Sequence, residues 1–167
     1  MLDLQAPTES PPLRDYQQAC VDAVLNSEDQ AIYYTLPTGT GKTRILTELV
    51  RQRERAGRIL AIAHRRELVW QLQDALRAGT AANYCGVIMA DERVMHEQTT
   101  ASCIASLTPE RLLQYLQASQ EPVGTLLIDE AHHVTKKNRY NGLVADLRSR
   151  YPDVYVVGCT ATPFIAD

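Results

Sequence analysis

Two short stretches hold the residues whose types and spacing can do chemistry. The first is Leu36-Pro37-Thr38-Gly39-Thr40-Gly41-Lys42-Thr43. Gly39 and Gly41 let backbone N–H groups turn toward phosphate oxygens with no Cβ in the way. Lys42 can reach β- and γ-phosphates, and the Thr43 hydroxyl can hold Mg²⁺. The general pattern G-x-x-x-x-G-K-[ST] has a glycine where Leu36 stands, so this is a variant of the loop. The chemistry it predicts is binding of a nucleoside triphosphate. The second stretch is Leu126-Leu127-Ile128-Asp129-Glu130-Ala131-His132. A carboxylate at the end of a buried strand is costly unless it meets a cation. Beside a phosphate cradle that cation is Mg²⁺, so Asp129 is the expected metal carboxylate. Glu130 is placed to polarise the water that attacks the γ-phosphate. The pair predicts hydrolysis as well as binding.

These residues need a scaffold that holds them at one edge. The phosphate loop follows the apolar run from Ala31 to Leu36 and opens a helical stretch. Further strands are predicted at 58–63, 84–89, 100–105, 124–129 and 154–159, after the first at 31–36. Helices are predicted at 42–56, 66–78, 109–118 and 139–150. A leading amphipathic helix from Tyr16 to Leu25 would turn Ala19, Cys20, Ala23 and Val24 inward. Runs such as Arg58-Ile59-Leu60-Ala61-Ile62-Ala63 are nearly continuous in apolar residues, as in strands buried on both faces. The fold class is therefore α/β, an open, doubly wound parallel sheet with helices on both faces. Its ligand belongs at the carboxyl ends of the strands, where residues 38–43 and Asp129 both fall.

Bulk properties narrow the classes. The 167 residues suit about one domain, and 45% hydrophobic with 22% charged residues is ordinary for a globular fold. A net charge of −3 offers no global basic field, although Arg65-Arg66 and Lys136-Lys137-Asn138-Arg139 could form local basic strips. Cys20, Cys85, Cys103 and Cys159 lie far apart without a C-x-x-C pair, which fits free thiols better than zinc. Residues 1–12 lack periodicity and read as a flexible arm ahead of the domain at 13–167. Neither a secretory signal nor a run long enough to span a membrane is visible, so a cytoplasmic protein is expected, with nucleoid or nuclear association open.

At Asp129-Glu130-Ala131-His132 (DEAH) and Pro37-Thr38-Gly39-Thr40-Gly41-Lys42-Thr43 (PTGTGKT), the sequence resembles motifs II and I of superfamily 2 helicases. Further matches come in the family's order. Leu13-Arg14-Asp15-Tyr16-Gln17 resembles the L-R-x-Y-Q element. That resemblance implies Gln17, with Arg14 beside it, at the adenine edge, where an amide can donate and accept at once. Ala63-His64-Arg65-Arg66-Glu67-Leu68 resembles motif Ia, and Ser106 to Leu112 resembles motif Ib. These imply nucleic-acid contacts from His64, Arg65, Arg66, Ser106 and Thr108. Thr160-Ala161-Thr162-Pro163 resembles motif III, whose Thr160 and Thr162 would couple nucleotide to track, with His132 linking them to Glu130.

The likeness spans residues 13–163 and implies a RecA-like (P-loop NTPase) lobe using ATP and Mg²⁺. The branch most similar to it holds type III restriction subunits and related DNA-repair helicases. DNA is the implied track and RNA the alternative. Because motifs IV to VI belong to a second lobe, the chain is expected to be a monomeric first lobe of a longer protein. A self-contained small NTPase or nucleotide-dependent binding module is the other reading. Alone, the lobe should be nearly inactive, lacking the arginines that complete the γ-phosphate site. Trp70 and Tyr84 could stack bases, though aromatic residues in such contexts are usually core. No role is assigned to His133.

Overall fold

The computed structural model describes residues 11–134 and 139–162. The strands are β1 (Ala31–Thr35), β2 (Arg58–Ala63), β3 (Gly86–Ile88), β4 (Arg93–Val94), β5 (Thr99–Cys103), β6 (Val123–Asp129) and β7 (Tyr155–Thr160). The helices are α1 (Asp15–Leu25), α2 (Lys42–Arg53), α3 (Arg66–Arg77), α4 (Pro109–Gln117) and α5 (Arg139–Arg150). The strands form one sheet in the order β1-β7-β6-β2-β5-β3-β4. Every neighbouring pair is parallel except β3–β4, where Val87 faces Val94. The two-residue β4 was not anticipated; too short to show a period, it left no signal in the sequence. Of the residues outside the description, 1–10 carry most of the expected arm, 136–138 most of one basic strip, and Pro163 the end of motif III.

Alternation along the strands divides the core into two layers. Ile59, Ala61 and Ala63 of β2 join α1, α2 and α3 through Val21, Leu49 and Leu76. Leu60 and Ile62 face the other way, toward α4 and α5, through Leu112, Tyr115 and Leu147. Every residue of β2, β5 and β7 is buried, as a sheet covered on both faces requires. β1 lies at the edge and is more open.

Two local departures have physical causes. In α1 the inward residues are Gln17, Val21 and Val24, while Ala19 and Ala23 face solvent and Cys20 is half-buried. The expected face was rotated because small alanines weigh little against valine, and because Gln17 has a polar task inside. Arg58, counted in an apolar run, is fully buried. Its Nη2 donates to the Met95 carbonyl at 2.7 Å and the Tyr115 carbonyl at 2.9 Å, and its guanidinium lies 4.0 Å over the Tyr115 ring. No carboxylate among the described residues pairs with it. No described helix is long and apolar enough to cross a membrane.

Candidate active site

Strand register brings four loops to one edge. Thr35 ends β1 opposite Thr160 of β7, Cys159 of β7 lies opposite Asp129 of β6, and Ile128 lies opposite Ile62 of β2. The segments that follow β1, β7, β6 and β2 are therefore neighbours, although residues 36 and 160 are far apart in sequence.

The loop after β1 is built on its own backbone. Leu36 N–H extends the ladder to the Thr160 carbonyl at 3.1 Å. The Pro37 carbonyl accepts from Thr40 N–H at 3.3 Å and from Thr40 Oγ1 at 2.6 Å, closing a tight turn that leaves Thr38 exposed. Gly39 and Gly41 have φ of 82° and 85°, a region that favours glycine. A Cβ on Gly41 would also lie 2.3 Å from Gln17 Nε2. The helix α2 starts at Lys42, so its unpaired amides face the loop's mouth, an arrangement suited to an anion. Thr43 is exposed beside it.

Gln17 braces this turn. Its side chain is buried, its Nε2 donates to the Thr40 carbonyl at 2.9 Å, and its Oε1 accepts from Arg14 N–H at 3.0 Å. The same carbonyl accepts from Tyr16 Oη at 2.6 Å, and Arg14 Nη1 reaches that hydroxyl at 3.4 Å. Alongside opens a pocket of about 320 Å³ lined by Arg14, Gln17, Gly39, Thr40 and Arg44.

At the end of β6, Asp129 Oδ1 accepts from Glu130 N–H at 3.0 Å and from Cys159 Sγ at 3.3 Å. Burial and the nearby Asp129 charge push the Cys159 thiol far up, so it stays a donor. Glu130 sits in the left-handed region, φ 54° and ψ 52°, which costs a non-glycine residue about 1–3 kcal/mol. That turn aims its carboxylate at two partners: Lys42 Nζ lies 3.3 Å from Oε1, and His132 Nδ1 lies 3.2 Å from Oε2. His132 Nδ1 is also 2.7 Å from Thr160 Oγ1. A carboxylate only accepts, which favours the proton on Nδ1. Thr160 Oγ1 then accepts from His132, accepts from Thr162 N–H at 3.1 Å, and donates to the Thr162 carbonyl at 3.1 Å. Gly158 permits this closeness, since a Cβ there would lie 2.7 Å from that of Ala131.

The residues expected to touch nucleic acid lie beyond β2 and β5, and no hydrogen bond among the described residues ties their side chains to the phosphate loop. Arg65 is the exposed N-cap of α3, and Arg66 Nη2 is 3.1 Å from Asp91 Oδ1. Ser106 is buried, and its carbonyl accepts from Arg111 Nη1 at 2.7 Å. Thr108 Oγ1 caps α4 by accepting from Arg111 N–H at 3.3 Å. His64 stacks face to face on His133, with centroids 3.6 Å apart and planes 11° from parallel. Trp70 and Tyr84 are 42% and 44% exposed, so they are surface residues and not core. Sequence reasoning missed Tyr16, Cys159 and His133. The side chain of Cys159 was concealed within a buried run, whereas the doubled histidine after Ala131 was a visible signal left unread.

Known proteins resemble this chain over most of its length. A protein of Schizosaccharomyces pombe with the provisional name mitochondrial ATP-dependent helicase irc3 is 30% identical over 93% of this chain and 27% of its own length. The corresponding Saccharomyces cerevisiae protein, provisionally named ATP-dependent helicase IRC3, is 32% identical over 92% of this chain and 24% of its own. The chain thus spans about a quarter of the length of these curated relatives. The UvsW helicase from bacteriophage T4 superposes with a TM-score of 0.71 at 17% identity, covering 94% of this chain and 55% of that one. The Hef helicase domain of Pyrococcus furiosus gives 0.72 at 19% identity, covering 90% and 33%. These two likenesses establish the RecA-like helicase-lobe fold. With residues 10–165 matching it, the chain belongs to the family described as type III restriction enzyme, res subunit (ResIII).

Proposed function

We propose that this chain is the first, ATP-binding lobe of a superfamily 2 helicase or translocase that couples ATP hydrolysis to movement on nucleic acid, with DNA as the track. The observation that carries this is the continuous contact path Lys42–Glu130–His132–Thr160–Thr162. A nucleotide-binding module needs the loop and lysine alone. It has no use for a strained glutamate wired through a histidine to the strand-end Thr160.

In this reading Lys42 and the α2 amides hold the β- and γ-phosphates. Glu130 takes a proton from the attacking water as the γ-phosphoryl group leaves ADP. Thr43 and Asp129 supply a hydroxyl and a carboxylate, hard oxygen donors of the kind Mg²⁺ accepts together with phosphate oxygens. Asp129 fits that part because Glu130 N–H and Cys159 fix its orientation at the strand end. Bound Mg²⁺ would neutralise charge developing on the phosphates. The adenine would enter the pocket beside Arg14 and Gln17. Arg65, Arg66 and Thr108 would face strand phosphates, and a second lobe elsewhere in the full-length protein would supply the arginines that complete the site.

Lys42→Ala tests the nucleotide half of this reading. Losing charge-assisted contacts worth about 1.5–3 kcal/mol each should lower ADP affinity at least tenfold by calorimetry. Equal affinity in mutant and parent would overturn it. For the base, Gln17→Ala should erode the preference for ATP over GTP and CTP in a competition series.

A further inference from the structure

His133 stands outside the Lys42–Glu130–His132–Thr160–Thr162 path, yet its ring lies between two residues that matter. On one side is His64, at 3.6 Å and 11°; on the other is His132, at 4.1 Å and 40°. We infer that His133 is a positioning residue: the His64–His133–His132 ring stack carries the position of the Arg65–Arg66 corner to Glu130. The inference rests on the proposed helicase reading and specifies a link between its two halves.

The geometry suits such a link. His64 immediately precedes Arg65, the N-cap of α3, and its carbonyl accepts from Cys103 Sγ at 3.7 Å. Movement of the arginine corner therefore moves the His64 ring. Face-to-face rings at 3.6 Å are already in contact and cannot approach further, so displacement passes onward. It reaches His132, whose Nδ1 holds both the Glu130 carboxylate and Thr160 Oγ1.

The stack also has a cost that plain packing would avoid. His64 Nδ1 is buried without a hydrogen-bond partner among the described residues. A buried polar atom left unpaired costs about 1–3 kcal/mol, which an apolar ring in the same place would not incur. Burial, with His64 and His132 close by, holds His133 below the ordinary histidine range, and a neutral ring stacks without charge repulsion.

The test uses the four histidines as reporters. Imidazole proton–carbon resonances are followed while a single-stranded oligothymidylate, and in parallel an oligouridylate, is titrated into the protein. In the parent, His64 and His132 should shift together, while His96, exposed before β5, should not. In His133→Leu, His64 should still shift and His132 should lose its response. His133→Phe keeps a flat ring and should restore it. A residue that merely fills space would leave the His132 response intact in His133→Leu, and that result overturns the inference, as does a failure of His133→Phe to restore the response. Should His133→Leu fail to fold, His133→Gln replaces it, with the same loss expected and the same retained response counting against. If neither oligonucleotide moves His64 or the amides of Arg65 and Arg66 in the parent, the nucleic-acid reading itself falls and the inference falls with it.

Discussion

At the scale of single residues, Glu130 concentrates the strain and the proposed chemistry. Its left-handed backbone is unfavourable for a β-carbon residue, and its carboxylate holds Lys42 and His132 together. Glu130→Gln should keep this shape while losing the proton acceptor. In the full-length protein, turnover should drop by about 10²–10⁴, the usual share of a general base. Nucleotide affinity should be retained or rise, because Lys42 no longer has an anionic partner. Normal ATPase activity in that variant would refute the hydrolytic role. Gly41→Ala tests the loop: a φ of 85° strains any Cβ there, and at 2.3 Å from Gln17 Nε2 it would push that side chain off the Thr40 carbonyl. Both stability and nucleotide affinity should fall, measured by urea unfolding and calorimetry on the same sample. The positions of these residues were legible in the sequence because they depend on covalent neighbours. Cys159 was not legible: it meets Asp129 only through the register of β7 on β6.

At the scale of elements, what the sequence announced well was what local rules control. Pro109 in the first turn and Thr108 as its cap fix the start of α4 at residue 109, where the sequence predicts the helix to begin. Thr108→Ala should lower the unfolding free energy by about 1 kcal/mol, with Thr108→Ser restoring most of it, as read from urea midpoints. An unchanged midpoint in the alanine variant would show the cap to be idle. What the sequence concealed was set by tertiary contact. The inward face of α1 follows Gln17 toward the Thr40 carbonyl, against the apolar count. Tyr16 shares that carbonyl, so α1 is also a buttress for the phosphate loop. Arg58 reads as the polar start of an apolar strand, yet it ties β2 to the end of α4 and to the segment after β4.

At the scale of the whole molecule, the α/β class and its parallel sheet followed from the buried runs, whereas strand order did not. Placing β7 between β1 and β6 is a long-range choice, and it alone puts Thr160 beside Leu36 and Cys159 beside Asp129. That sheet also buries acids that ionise only at high pH. Burial pushes the Cys85 thiol from 9.0 up to about 12 and drives the Tyr34, Tyr115 and Cys159 groups upward as well. A pKa raised in the folded state means that the unfolded chain releases its proton first. Stability from these groups is therefore complete below their unfolded values and is lost as pH rises toward the folded ones. For Cys85 the window is 9.0 to about 12, and each such group removes up to about 1.4 kcal/mol per pH unit within its own window. Urea midpoints taken at neutral pH and at steps through that window should fall steeply above pH 9.0. Cys85→Ala should begin slightly less stable, because a small cavity replaces the sulfur, and should then lose less with each step. Parallel curves for parent and variant would mean that Cys85 ionises as readily folded as unfolded, contrary to its burial beneath the α3 side of the sheet.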